Sequence, residues 1–470
     1  MSKEQWMKIA PLCFLLPLVL AIGCAGVESP HFGSDDIYIH FDTAERTLSG
    51  KDQKKMLPQT PLSAADAVKI ALGNNSDIKI ARRNIAIAND RIDQARGSFL
   101  PKVSAFGNRT LKDRVPAYEV MGQKMSFGEK GTGLYGTSMT IPIYDFGRSA
   151  AGYRQALLSR EVEKVKTVRV TQEVIFTVKD TFFQLQKLKK MHEVISKTVA
   201  QLKEHEKHTE QFLKNGLVDR SALLSIQVKI AEVEQQSVKV ENGIRNARAA
   251  LNQILNIDLD FDTQTMDEER SDFKEFSEKG CAELALHSRP EILELKSEKE
   301  LAKASLSAAK AERYPSLSAV GSYNYQDDAS LATKDFWQAQ LSLEIPIWSG
   351  GITGAKIREL EKAAEQLDEN RLKILQGIHL QVKSACSSIE EAVQRIAVAE
   401  KAVASARENL RILTNKYQNH IITATDLLDG EVALAASESE LIQARYDYLQ
   451  ALAALEYAVG REASDLPIEQ

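Results

Sequence analysis

The stretch IPIYDFG, Ile141–Gly147, returns as IPIWSGG, Ile345–Gly351, at an offset of 204 positions (345 − 141). The same offset links LVDRSALL, Leu217–Leu224, to IITATDLL, Ile421–Leu428, and ALNQILN, Ala250–Asn256, to ALEYAVG, Ala454–Gly460. Upstream, FLPKVSAFG, Phe99–Gly107, matches RYPSLSAVG, Arg313–Gly321, at 214 (313 − 99), so the first copy carries the longer loop between these landmarks. A chain written twice must build one supersecondary plan twice. The copies fall at 62–256 and 281–460. An acidic linker, 257–280, joins them, and its charge run reads as a solvated surface segment. Residues 461–470 form a C-terminal tail.

Each copy reads helix, two strands, long helix, helix. Ser63, with Asp66 three residues on, is a plausible N-cap, and Pro101 and Pro315 close the first helices. From Tyr153 to Asn215 the chain runs 63 residues without Gly or Pro (215 − 153 + 1), on the order of 95 Å as a helix. Apolar residues then step alternately by 3 and 4, as in Leu375, Ile378, Val382, Ala385, Ile389 and on to Tyr417, and again from Leu223 to Ile254. That seven-residue period predicts coiled-coil packing, and its many Ala and Ser let helices approach closely. Helices are expected over 150–214, 218–256, 352–418 and 423–459, paired as two long antiparallel hairpins of a tube or stalk.

Strands are expected at 99–111 and 131–145, and at 314–326 and 336–349. Trp337, Ala339, Leu341, Leu343, Ile345 and Ile347 alternate with polar residues, the pattern of a lipid-facing barrel strand. A soluble sheet with one wet face would show the same alternation. Four strands cannot close a barrel, and sheet edges do not sit in lipid, so membrane strands of this kind must be pooled among chains. Two chains would give eight strands and a plugged bore; three would give twelve and an open one. The opening motif then becomes the junction out of the sheet. Pro142 and Pro346 end a strand, Tyr144 and Trp348 sit where interfacial aromatics belong, and Gly147, Gly350 and Gly351 permit a sharp turn into helix.

Lys3 and Lys8 precede an apolar run, Ile9–Ile22, which reads as a signal peptide over 1–23. The run ends in LAIGC, a lipobox-like site with acylation expected on Cys24, and the polar tail 24–61 would serve as a tether. Cys281 and Cys386 then remain, and both read as buried small side chains. No body segment is long and apolar enough to be read as a membrane helix. The 470 residues carry a net charge of −5, which gives no basic footprint for nucleic acid.

These motifs together resemble the TolC type of outer-membrane efflux protein. The likeness rests on LSAADAVKIALGNNSDI, the Pro-ended first helices, both Ile-Pro-Ile junctions and the tips NGLVDRSALL and NHIITATDLLDGEVAL. The resemblance implies a mixed fold, mostly long coiled-coil hairpins forming an α-barrel, with four strands given to the 12-strand β-barrel of a homotrimer. It implies a passive duct in outer-membrane lipid, extending into the periplasm, that docks on a periplasmic adaptor and an inner-membrane pump of the RND or ABC type. Asp426 and Asp429 fall on the aspartates that ring the entrance in that family, and a helix cap with a first-turn acid is the other reading. Gly216, Leu217, Val218, Ile421 and Ile422 fall where adaptor hairpins dock. The arginine–aspartate pair that shuts the TolC entrance is replaced by Ile422 and Ala222, which implies either a different closing contact or a looser resting entrance.

GTGLYG, Gly131–Gly136, fits a nucleotide-loop pattern but precedes a strand and is rejected. His205 and His208 read as part of a solvated charged face, and His192 as a satisfied packing histidine. No catalytic constellation, metal set or cofactor motif is found. The rivals to small-molecule efflux are type I protein secretion and a non-conducting lipoprotein stalk.

Overall fold

The computed structural model describes residues 61–468, except 116, 127, 217, 269–271, 329, 330 and 420. The signal peptide, Cys24, the tail up to residue 60 and Leu217 lie outside the described residues. The elements are α1 (Ala64–Asn74), α2 (Ser76–Gly97), β1 (Lys102–Leu111), β2 (Ala117–Val120), β3 (Gln123–Ser126), β4 (Gly131–Tyr144), α3 (Arg148–Lys214), α4 (Arg220–Ile254), α5 (Glu278–Ser288), α6 (Pro290–Ala311), β5 (Ser316–Asp327), β6 (Asp335–Glu344), α7 (Ile352–Gln418) and α8 (Ala424–Val459). Two compact units result. One holds Asn84–Lys164 and Leu295–Asn370; the other holds the stretch ending at Arg83, Val165–Glu294 and Arg371–Gln470.

The first unit carries an antiparallel sheet of order β1-β4-β5-β6. β1 pairs with β4 so that Lys102 faces Thr140, and β5 pairs with β6 so that Ser316 faces Glu344. Adding the repeat offsets to the first pair (102 + 214, 140 + 204) gives the second, so both copies pair in one register. β4 and β5 join the copies at the middle of the sheet, with Gly136 facing Asn324 and Thr140 facing Val320. A Cβ on Gly136 would lie 2.4 Å from the Tyr323 carbonyl oxygen and 2.9 Å from the Phe106 ring, so only glycine fits there. Pro142 has no N–H to donate, and the β4–β5 register shifts between Pro142 and Tyr144.

Three details of the sheet differ from expectation. β2 and β3 form a separate hairpin inside the longer loop of the first copy. It turns on Met121 (φ 53) and Gly122 (φ 78), a two-residue turn of doubly positive φ, and four-residue strands leave too little periodicity to read. The expected strand 336–349 stops at Glu344, leaving Ile345–Trp348 beyond it. β6 has a partner on one side only, whereas β4 runs on to Tyr144 against β5. The GTGLYG glycines lie within β4 instead of before a strand.

In the second unit, the long first helix expected of each copy is broken, at Asn75 and at Arg289, positions related by 214 (289 − 75). Both side chains reach a carbonyl at the end of their own copy's last helix. Asn75 Nδ2 donates to Ile254 O at 2.9 Å, and Arg289 Nη1 to Tyr457 O at 2.6 Å. Arg289 is buried, yet each donor group is used: Glu291 accepts from Nε and Nη2, Gln381 accepts a further bond, and the Tyr457 ring lies 4.8 Å from the guanidinium carbon. Ser63 caps α1 by accepting from the Asp66 amide.

The α7 seam is buried at Ile378, Val382, Ala385, Ile389, Ala392, Ile396, Ala399 and Val403, steps of 4 and 3 throughout. Each fully buried Val or Ile there contributes roughly 2 kcal/mol. α3 and α4 pack through a second cluster that includes Ile195, Leu202, Ile226, Ile230 and Val233, joined by Leu428 of α8. The acidic linker is a mostly exposed surface segment that is tethered at several points. Asn252 Nδ2 donates to Leu259 O and Phe261 O, Asp262 meets Arg248 at 2.6 Å, and Tyr446 donates to Asp267 at 3.0 Å. Asp262 and Asp267 find partners on α3, α4 and α8, and these contacts hold the linker down.

Candidate functional site

The sheet has two open edges. Among the described residues β1 pairs only with β4, and β6 only with β5, each along ten residues. Large apolar side chains stand exposed along these edges, among them Val103 (73%), Leu111 (78%), Trp337 (61%), Leu341 (67%) and Leu343 (61%). Unpaired backbone with apolar flanks is a template for pairing with another chain. Among the described residues no helix is long and apolar enough to cross a membrane.

Where the strands hand over to long helices, the two copies solve one problem with different residues. Gly350 (φ 63) and Gly351 (φ 83) take two successive left-handed conformations before α7. At the equivalent positions before α3 stand Phe146 (φ 53) and Gly147 (φ 85). A left-handed phenylalanine costs about 1 kcal/mol. Its ring stacks on Tyr314 at 5.7 Å and meets Tyr144 edge-on at 4.7 Å, contacts that offset the strain. Asp145 then caps α3: Gly147 N donates to Oδ1 at 3.1 Å and Ser149 N to Oδ2 at 2.8 Å. Trp348 and Ile347 are almost wholly exposed, and Tyr144 is more than half exposed.

At the hairpin tips α3 ends at Lys214 and α4 begins at Arg220, and α7 ends at Gln418 and α8 begins at Ala424. Gly216 (φ 71) closes α3, and Asp219 precedes α4 without a side-chain cap. Val218 and Ile422 are half-buried, and Ile421 is exposed. α8 opens with a full capping box. Thr423 Oγ1 accepts from the Asp426 amide, and Asp426 Oδ2 accepts from the Thr423 amide at 2.9 Å. Hydrogen bonds from the Thr423 hydroxyl and then its amide hold the Asp426 carboxyl below the usual carboxylate range. Asp426 and Asp429 are both exposed. The opposite side of α8 is packed from Leu427 onward. Leu428 enters the α3–α4 cluster, and a Cβ on Gly430 would lie 2.6 Å from Leu413 Cδ1 of α7.

Sequence reasoning missed one polar contact here. His205 of α3 is not part of a solvated face: its Nε2 lies 2.8 Å from Oε1 of the buried Glu431 on α8. That bond, against the opposing effect of burial, raises the His205 pKa above its ordinary value. Oε2 of Glu431 has no partner. Nothing in the sequence around Glu431 signals that it turns inward. His208 stays exposed beside Glu204, and His192 is only half satisfied: Nε2 meets Ser196 Oγ at 3.3 Å while the buried Nδ1 is unpaired. No group of three or more His, Cys, Asp or Glu gathers for a metal among the described residues.

The family model described as outer membrane efflux protein matches residues 67–256 and 281–461, one match per copy. The chain is 22% identical over 394 residues to outer membrane protein TolC of Vibrio cholerae, covering 81% of this chain and 86% of that one. It is 23% identical over 414 residues to alkaline protease secretion protein AprF of Pseudomonas aeruginosa, covering 85% and 84%. Among solved structures, the Campylobacter jejuni CmeC outer membrane channel superposes with a TM-score of 0.72 at 16% identity, covering 84% of this chain and 85% of that one.

Proposed function

This chain belongs to the outer membrane efflux protein family, and from that premise we propose that it is the outer-membrane exit duct of a tripartite export system, assembled as a homotrimer. The observation that carries the proposal is the open four-stranded sheet. Its free edges, β1 and β6, run in opposite directions, so β6 of one copy meets β1 of the next as an antiparallel pair. Three chains give a ring of about twelve strands with an aqueous bore. The exposed aromatics Tyr144 and Trp348 suit the membrane–water boundary.

The hairpin tips are the docking end for a periplasmic adaptor, through Gly216, Leu217, Val218, Ile421 and Ile422, and an inner-membrane pump supplies the energy. Asp426 and Asp429 line the entrance. Leu428 and Gly430 pack against neighbouring helices, whereas Asp426, held by the capping box, and Asp429 lie on the exposed side of α8. A threefold ring of such carboxylates favours cations and binds multivalent ones. Cys24 carries the lipid that adds a second attachment to the membrane. Within the duct class, similarity to a protease secretion protein favours protein export as the second reading.

The test is the mass of the detergent-solubilised assembly together with its conductance in a planar bilayer. A trimer with a cation-selective current is expected. A monomer with intact β structure, or a trimer without current, overturns the proposal.

A further inference from the structure

Three charged pairs cross from α3 to α8: Lys179 with Glu456, Lys187 with Asp447 at 3.1 Å, and His205 with Glu431 at 2.8 Å. Their partner numbers add to 635 (179 + 456), 634 (187 + 447) and 636 (205 + 431), so they hold one antiparallel seam at three heights. Among the described residues His205–Glu431 is the last charged α3–α8 pair before the tips, seven positions into α8 (431 − 424). Of the three pairs it alone contains a histidine, the side chain whose charge ordinarily changes near neutral pH.

We propose that His205 and Glu431 are a pH-operated clasp, which holds the entrance end of α8 against α3 while His205 is charged and releases it as His205 loses its proton. The clasp rests on the duct reading above, in which Asp426 and Asp429 line the entrance.

Glu431 is buried, with 8% of its side chain exposed, and its only partner among the described residues is His205. A buried carboxylate that faces an imidazolium has its counter-charge. Facing a neutral imidazole it keeps at most a hydrogen bond, and a buried charge without a partner is costly. His205 is one-quarter exposed, so it can exchange its proton with water.

The surrounding charges have other partners. On α3, Glu204 meets Lys207 at 3.3 Å and His208 at 3.5 Å. Lys203 meets Glu234 of α4 at 2.7 Å, and Glu206 accepts from Gln227 of α4 at 2.9 Å. On α7, Arg411 turns to Glu408 and Arg407 to Glu438 of α8. No second cation replaces His205 beside Glu431 among the described residues. The bond to Glu431, opposed by burial and helped by the charges of Glu431 and Glu204, keeps the His205 pKa above its ordinary value. Release therefore belongs to the alkaline side of about pH 6.5.

The released piece is the helix end that carries the entrance carboxylates. The capping box keeps the first turn of α8 wound, so Asp426, Asp429 and Glu431 move together. Leu428, in the α3–α4 cluster, then holds this end to α3 and α4 by apolar contact.

The test is the planar-bilayer current of full-length protein between about pH 6 and about pH 9. Wild-type current should rise at least about threefold across this range, with its midpoint above about pH 6.5. His205→Ala and Glu431→Gln should give high current at both ends and no step, whereas His208→Ala should keep the step. A wild-type current without the step, or a step that survives in His205→Ala, overturns the clasp while the duct stands. If no current flows at any pH, the duct reading fails, and hydrogen exchange at the start of α8, corrected for intrinsic rates, decides the clasp by itself. Protection that falls with rising pH in wild type but not in His205→Ala upholds it, and protection indifferent to pH overturns it. The same measurement decides if the variants do not assemble, with wild type alone.

Discussion

The duplicated register fixes how one chain should meet the next. In the β4–β5 pair, partner numbers add to 460, as for Gly136 with Asn324 and Thr140 with Val320. β6 is the repeat of β4 at +204, and β1 is the repeat of β5 at −214. Equivalent pairing between chains therefore gives partners that add to 450 (460 + 204 − 214). Ser342 should face Asn108, Leu341 should face Arg109, and Gln340 should face Thr110 of the neighbour. This register keeps polar opposite polar on one face, Ser342 with Asn108 and Gln340 with Thr110. A slip by one residue would move side chains about 3.3 Å along the strand and to the wrong face.

The assay is cysteine cross-linking in a background with Cys281 and Cys386 changed to serine. The chains to make are Asn108→Cys with Ser342→Cys, and Arg109→Cys with Leu341→Cys. Two adjacent pairs are needed, because only non-hydrogen-bonded positions bring Cα atoms to about 4.5 Å. One of the two should run as a covalent trimer on non-reducing gels. Thr110→Cys with Ser342→Cys, offset by two residues, should link at least about tenfold less, since its Cα separation grows by about two residue rises. Preferential linking of the offset pair would refute the reasoning from repeat symmetry.

Other outcomes follow from single contacts. Because His205 has a raised pKa, the stabilisation it gives is complete below about pH 6.5 and fades as pH rises through the raised value. Hydrogen exchange of peptides covering α3 near His205 and the start of α8, corrected for intrinsic rates, should therefore show less protection at alkaline pH. His205→Ala should remove that dependence and cost about 1–2 kcal/mol of local stability at pH 6, discounted for the partial exposure of the imidazole. Arg289→Ala should destabilise the helical unit by about 3 kcal/mol, read as faster limited proteolysis, with Arg289→Lys restoring only part because it cannot serve Glu291 and Tyr457 O together. Phe146→Gly should be nearly neutral in denaturant melts, since relief of about 1 kcal/mol of backbone strain offsets the lost stacking, whereas Phe146→Ala keeps the strain and should be the worse variant. Multivalent cations should block the channel current, and Asp426→Asn with Asp429→Asn should abolish the block while leaving conductance.

The long helices and the strands could be read from the sequence because their signal is repetitive. A seam such as Ile378–Val403 states its period many times, and the Ile-Pro-Ile junctions appear twice. What stayed hidden rests on single residues meeting across distance. The helix breaks at Asn75 and Arg289 come from side chains seeking carbonyls more than 160 positions away. Glu431 turns inward because His205 waits there, and no pattern along α8 announces it. The linker reads as solvated by composition alone, since its partners are residues such as Arg248 and Tyr446 on other helices.

The alternating strand directions have a consequence for growth. Because four is even, the two borders of the sheet always present opposite polarity, so a further subunit can be added without a parallel seam at any ring size. The ribbon therefore contains no stop signal, and in isolation it would be a polymer end as readily as a closed cylinder. Termination at a fixed stoichiometry must be imposed by the helices. Variants that loosen their packing, such as Gly430→Leu, should give ladders of mixed oligomers in native gels instead of free monomer.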